Sequence, residues 1–227
     1  MRVCIWKEGN VIQFVYLCTI IFIIIFILFL TKLVMDKCPK KIKRFYLIVL
    51  TIMLMRYLAL MYLLLTNNER IVYKLLITPM MYIIYMPMLA LGSLYIFFRD
   101  EKMRFDYSFA YLIMLSFVYL AIIVIYKLNI HIDSKLGYII TFKEAVTPSI
   151  IYLSCMSIFS VITLLFVDKP YSNNNGMRIL LAISIISVGE FILFLGGIKV
   201  FPYPIFSEIL MLLCTYKAIN TFKKIRQ

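Results

Sequence analysis

Three charges stand deep inside otherwise apolar runs: Arg56, Glu190 and Glu208. They are the groups in this sequence best placed to do chemistry. Arg56 interrupts YLIVLTIMLMRYLALMYLLL, residues 46–65. A charge at the middle of a bilayer costs about 2.5 to 3.5 kcal/mol on insertion scales, so such a residue faces a bundle interior and has a partner. An intramembrane Arg–carboxylate pair either fixes how helices pack or lines a cavity for a ligand or proton, and both uses are open.

Depth sets which acid can reach. Counted from Phe45, where its run begins, Arg56 lies eleven residues in, about 16 Å at the helical rise. Glu190 lies equally deep in a run that crosses in the same sense, which makes Arg56 with Glu190 the leading pair. Glu208 is six residues into the last run, about 9 Å from the opposite boundary, and is the rival within reach of a long arginine. Water or backbone carbonyls are the remaining partners.

Other polar features are sparser. The third run carries Pro79 and Pro87 with Tyr82 and Tyr85 between them, and the fifth opens with Pro148. An interior proline frees a carbonyl and kinks a helix, so Pro79, Pro87 and Pro148 are expected kinks, and a kinked helix bearing tyrosines can wall a pocket. Ala182, Gly189 and Gly196 recur at sevens, a small face suited to close helix approach. Ser154, Ser157 and Ser160 form a stripe at i, i+3 spacing. Packing is the expected role of both.

Enzyme and metal patterns are missing. There is no HExxH, no glycine-rich phosphate loop and no GxSxG. The single histidine, His131, has only Asp133 beside it, too few ligands for a metal site. Lys217, near one end of the last run, is read as a snorkelling residue. The five cysteines show no paired spacing and read as small buried apolar residues. No catalytic residue, metal or cofactor is expected.

The elements that must position these charges follow from composition. The 227 residues are 64% hydrophobic and 15% charged, far more apolar than soluble domains. Seven runs suit helices across a hydrocarbon core of about 30 Å: 11–35, 45–66, 72–98, 105–126, 145–167, 179–198 and 202–222. They are continuously apolar, without the alternation of barrel strands. The first has no small-residue cleavage site after it and is read as retained. The expectation is one all-α membrane domain, 1–227, a bundle of seven transmembrane helices.

Lysine and arginine set the orientation. With the N-terminus outside, fifteen fall on the inner side and eight on the outer, Arg56 apart, so the chain is expected N-out, C-in. The cluster KCPKKIKR after the first run weighs most. The net charge of +13 is explained by these loops and by anionic lipid, not by nucleic acid. Richness in Ile, Lys, Tyr and Asn suits an AT-rich bacterial genome, hence a bacterial cell membrane. The longest loop, KLNIHIDSKLGYIITFKE, is read as an outer, solvated loop, and DKPYSNNNG as an inner turn.

RYLALMYLLLTNNERIVYKLLITPMMYIIYMPMLALGSLYIFFRDEK and GGIKVFPYPIFSEILMLLCTYKAINTFKK resemble the second and third helices and the closing helix of the N-terminal seven-helix sensor region of bacterial histidine kinases. The resemblance implies N-out topology and perception of a signal at the membrane. No phosphoacceptor histidine or nucleotide-binding domain follows, so kinase activity is not carried over. The resemblance sets an aromatic of that family near Arg56 and an amide near Glu190, so the two charges look like a compensating pair. The function read from all this is a sensor or receptor-like module working with the bilayer and a signalling partner on its basic inner face, through the inner loops and the terminal KKIRQ. Alternatives are a small transporter with Arg56, Glu190 and Glu208 along its path, and a structural or immunity-type membrane protein.

Overall fold

A backbone in hydrocarbon must satisfy its own polar groups, so the apolar runs become helices. The computed structural model describes residues 2–66, 68–98, 105–133, 136–170 and 172–222, with backbone alone for 2–10. Six helical stretches in it are long and apolar enough to cross a membrane. They are α1 (Arg2–Lys37), α2 (Lys40–Leu65), a third span made of α3 (Glu69–Lys74) and α4 (Tyr82–Phe98), α5 (Asp106–Ile125), α6 (Val146–Phe166) and α7 (Asn174–Leu195). The chain is a mostly helical, multi-pass membrane protein.

The expected seventh span is shorter. Helix α8 runs Phe206–Asn220, 15 residues, about 22 Å of rise against a core of about 30 Å. Pro202 and Pro204 keep the approach out of helix, since neither donates a backbone N–H and each restricts the residue before it. The approach is nonetheless packed into the protein, with Tyr203 and Ile205 buried. Irregular backbone at membrane depth is tolerated when protein covers it.

Other boundaries move for local reasons. Helix α2 starts at Lys40, directly after Pro39, five residues before the expected Phe45, because the basic residues 40–44 continue the helix beyond the apolar run. Helix α7 starts at Asn174, where the Asn173 side chain accepts the Gly176 N–H. It ends at Leu195, with Gly196 as cap and Gly197 at φ +88°.

The third span is broken, not merely kinked. Helix α3 stops at Lys74, a 3-10 turn follows at Thr78–Met81, and α4 begins at Tyr82. Pro79 sits in that turn and Pro87 inside α4, whereas Pro148 lies in the first turn of α6, where its missing N–H costs nothing and no kink arises. The break exposes carbonyls that neighbours take up: the Tyr119 hydroxyl donates to Ile77 O at 2.7 Å.

The expected outer loop folds into an antiparallel hairpin, β1 (Leu128–Asp133) on β2 (Gly137–Phe142), with Ile130 opposite Ile140. It lies against α2, so close that a Cβ on Gly137 would stand 2.7 Å from the Leu63 carbonyl oxygen. His131 shares one strand face with Asn129 and Asp133.

Helix α4 is the axis. Fifteen of its 17 residues are buried, against five of 20 in α5, six of 21 in α6 and seven of 22 in α7, and α2, α5, α6, α7 and α8 all pack on it. The outer surfaces of α1, α5 and α6 are apolar, with Phe22, Ile25, Phe117 and Leu164 exposed, as a bilayer requires. The hairpin marks one end of the bundle. Lys37, Lys40, Lys41, Lys43 and Arg44 mark the other, the basic end. The basic segment 99–104 and the terminal KKIRQ lie outside the described residues.

Candidate functional site

Arg56 is completely buried, in the half of α2 nearer the hairpin. Its partner is Glu208, not Glu190. Arg56 Nη1 lies 2.6 Å from each carboxylate oxygen of Glu208, itself 1% exposed. Arg56 Nε donates to the Pro79 carbonyl at 2.7 Å, so the same side chain satisfies an acceptor that the broken third span supplies. Nη1 also donates to the Tyr85 hydroxyl.

Glu208 gathers the rest of the network. The hydroxyls of Tyr57 and Tyr85 both donate to its Oε2, that of Tyr85 at 2.5 Å. The Arg56 guanidinium carbon lies 5.4 to 5.7 Å from the ring centres of Tyr57, Tyr82, Tyr85 and Tyr203. Arg56 Nη2 has no hydrogen-bond partner among the described residues. Four aromatic faces offset part of that deficit, since ring quadrupoles attract a desolvated cation. The result is a neutral ion pair inside a tyrosine cage, with hydrogen bonds that strengthen one another at low local dielectric.

Glu190 does something else. Its carboxylate reaches the start of α8 and accepts the N–H of Phe206 at 3.0 Å and of Ser207 at 2.6 Å. Those are among the free amides every helix leaves at its N-terminus, where a negative charge is also favoured by the helix dipole. Equal depth with Arg56 was therefore a misleading criterion. α8 brings Glu208 to Arg56 in its first turn, and Glu190 holds that turn in place.

Of the expected pocket residues, Tyr82 and Tyr85 both belong to the cage, while Tyr57 and Tyr203 join it without having been singled out. The sequence signal for Tyr57 was its adjacency to Arg56; for Tyr203 it was the Pro-Tyr-Pro setting, which fixes a tyrosine on a rigid entry turn. Among the described residues no cluster of three His, Cys, Asp or Glu could hold a metal ion. At Gly189 a Cβ would meet nothing within 4 Å, so among the described residues no other helix approaches at that position. Of the serine stripe, Ser160 bonds Ser184 of α7 at 2.9 Å, while Ser154 and Ser157 are exposed.

Beside the cage, under the hairpin, is a pocket of about 220 Å³. Tyr82 and Tyr203 line it as well as the cage; Ile140 and Phe142 of β2, Phe191 of α7 and Lys199 form other walls. Lys199 is its one charge, with Nζ 4.5 Å from the Phe194 ring centre. The Tyr203 hydroxyl donates to Ile140 O at 3.1 Å and accepts from Ile140 N at 3.0 Å, which ties the hairpin to the cage.

At the far end of α8, Asn220 accepts a 2.5 Å hydrogen bond from Lys37 Nζ. Next to Lys37 is Cys38, a buried free thiol between α1 and α2. Burial raises it to about 11 despite Lys43 and Lys37 nearby. One helix therefore runs from the cage at Glu208 to the basic end at Asn220, twelve residues or about 18 Å away.

The chain matches no protein-family model and no curated protein.

Proposed function

We propose that the chain is a membrane-embedded sensor of the general kind its sequence resembles, the input region of histidine kinases. The pocket under the hairpin takes a small ligand or a side chain of a peptide. The caged Arg56–Glu208 pair reads its arrival, and α8 carries the change to a partner at the basic end. The reading is supported by one observation above the others: Tyr82 and Tyr203 line the pocket and also face Arg56. An occupant that moves either ring changes the field around a buried ion pair, and pairs of this kind have few alternative arrangements.

The lysine and arginine distribution supports N-out, C-in topology, with α8 as the seventh crossing, and the Ile-, Lys-, Tyr- and Asn-rich composition supports a bacterial cell membrane. On that orientation the pocket opens outward. A translocation path would need Glu190 free, whereas it binds α8.

Purified protein in lipid nanodiscs, screened against small apolar acids, amines and short peptides by thermal shift, tests the pocket. Ala145 lines the pocket at an exposed position, so Ala145→Trp fills the space with little strain on the bundle. Compounds that raise Tm in the natural protein are expected to lose their shift in Ala145→Trp, whose own Tm stays close to normal. Compounds that shift both proteins equally would put the input site elsewhere.

A further inference from the structure

A second cavity, about 490 Å³, lies between α5 and α6 with α4 as its floor. Its walls are Leu91, Leu94, Tyr95 and Phe98 of α4, with Tyr111 of α5 and Phe159 of α6 among those facing them. We propose that this cleft holds one acyl chain of a membrane phospholipid.

Shape and direction carry the proposal. On α4 the lining runs from Leu91 to Phe98, and on α6 from Ile158 to Phe166, seven and eight residues or about 10 and 12 Å. The slot thus lies along the helices, and so along the bilayer normal, as a lipid chain does. Towards the hairpin end Tyr111 meets Phe159 edge-on at 6.0 Å. Towards the basic end Phe98 packs on Phe166 at 4.4 Å. Tyr107 and Ile158, on the two rims, are 72% and 58% exposed, so the side between α5 and α6 is open to hydrocarbon.

The walls also select a chain over a helix. Transmembrane helices approach one another across small residues, and Ser108 is the only small residue in the lining. Bulky aromatic and branched walls leave narrow, irregular space that a flexible polymethylene chain fills. The volume falls within the roughly 300 to 1,000 Å³ of ordinary ligand sites. A phospholipid is favoured over a free fatty acid because it is the bulk component of the hydrocarbon the cleft opens to, and the slot sits at the basic end, where Lys40 and Arg44 are exposed. A phosphate head group is attracted there.

Photolabelling decides it. Nanodiscs are doped with phosphatidylglycerol carrying a diazirine in one acyl chain, or in parallel with a diazirine fatty acid, and labelled peptides are mapped. The phospholipid is expected to label α4 and the facing sides of α5 and α6 several-fold more than equally exposed positions on α1 such as Ile25. Leu94→Trp, or Ser108→Leu from the opposite wall should the first fold poorly, is expected to abolish that excess while leaving α1 labelling unchanged. Labelling spread evenly over α1, α5 and α6, or an excess untouched by both variants, would overturn the proposal. So would labelling by the fatty acid alone, or a crosslinked dimer through the cleft in place of lipid.

Discussion

Glu208→Gln unfolds the hairpin end of the bundle at far milder conditions than the natural protein tolerates. The substitution keeps the size of the side chain and removes its charge, so Arg56 stays buried without a counter-ion. Losing one partner of a buried pair costs about 3 to 5 kcal/mol, because the remaining charge has no solvent to return to. Removing both charges together is expected to recover much of this, since a buried pair is often no better than apolar residues of similar volume. Recovery by Arg56→Met/Glu208→Leu is incomplete for a specific reason. The phenols of Tyr57 and Tyr85 donate to Glu208 and the Pro79 carbonyl accepts from Arg56, and each buried polar group left unmade costs about 1 to 3 kcal/mol. Adding Tyr57→Phe and Tyr85→Phe is therefore expected to bring stability back further. Reversible unfolding of the natural protein and these three variants in mixed micelles measures the series; a Glu208→Gln as stable as the natural protein would contradict the pairing.

Gly137→Val detaches the hairpin and leaves the bundle folded. Gly137 has φ +71°, a region that costs a residue with a side chain about 1 to 2 kcal/mol. The added Cβ would also stand 2.7 Å from Leu63 O and 3.1 Å from Leu64 O, backbone atoms inside α2 that cannot give way. β2 must lift, and Ile140 then loses its two hydrogen bonds to Tyr203. The expected result is fast amide exchange across 128–142, loss of ligand-induced thermal shifts, and near-normal protection in α4. Exchange in the hairpin as slow as in the natural protein would show that these contacts do not hold it.

Much of this arrangement was legible from the sequence. Six spans were written in the apolar runs, and Arg56 announced a polar core because so few charges stand inside them. Tyr82 and Tyr85 were found because they lie between Pro79 and Pro87 on the third span. The partner was misread because depth was counted along upright, uninterrupted helices. Helix α8 starts after an irregular, proline-held turn that enters the bundle, and no periodicity reports where such a turn points. The hairpin did leave a signal: NIHID and YIITF are rich in β-branched residues and flank a short segment ending in Gly137. The expectation of a solvated loop passed over it. Glu190 as a cap on another helix has no local sequence signature at all, since capping rules concern neighbours in the chain.

Coupling between the pocket and the basic end is open to one direct measurement. Cys38, kept as the only cysteine, is a built-in reporter at that end: its thiol is buried and raised to about 11, so little thiolate forms near neutral pH and labelling is slow. Ala145→Trp occupies the pocket without any need to know the ligand. Its effect on the maleimide labelling rate of Cys38 is compared in two backgrounds, one with the natural cage and one with Arg56→Met/Glu208→Leu/Tyr57→Phe/Tyr85→Phe. A sensor that works through the caged pair predicts a several-fold change in rate in the first background and none in the second. An unchanged rate in the first background, or the same change in both, would contradict it.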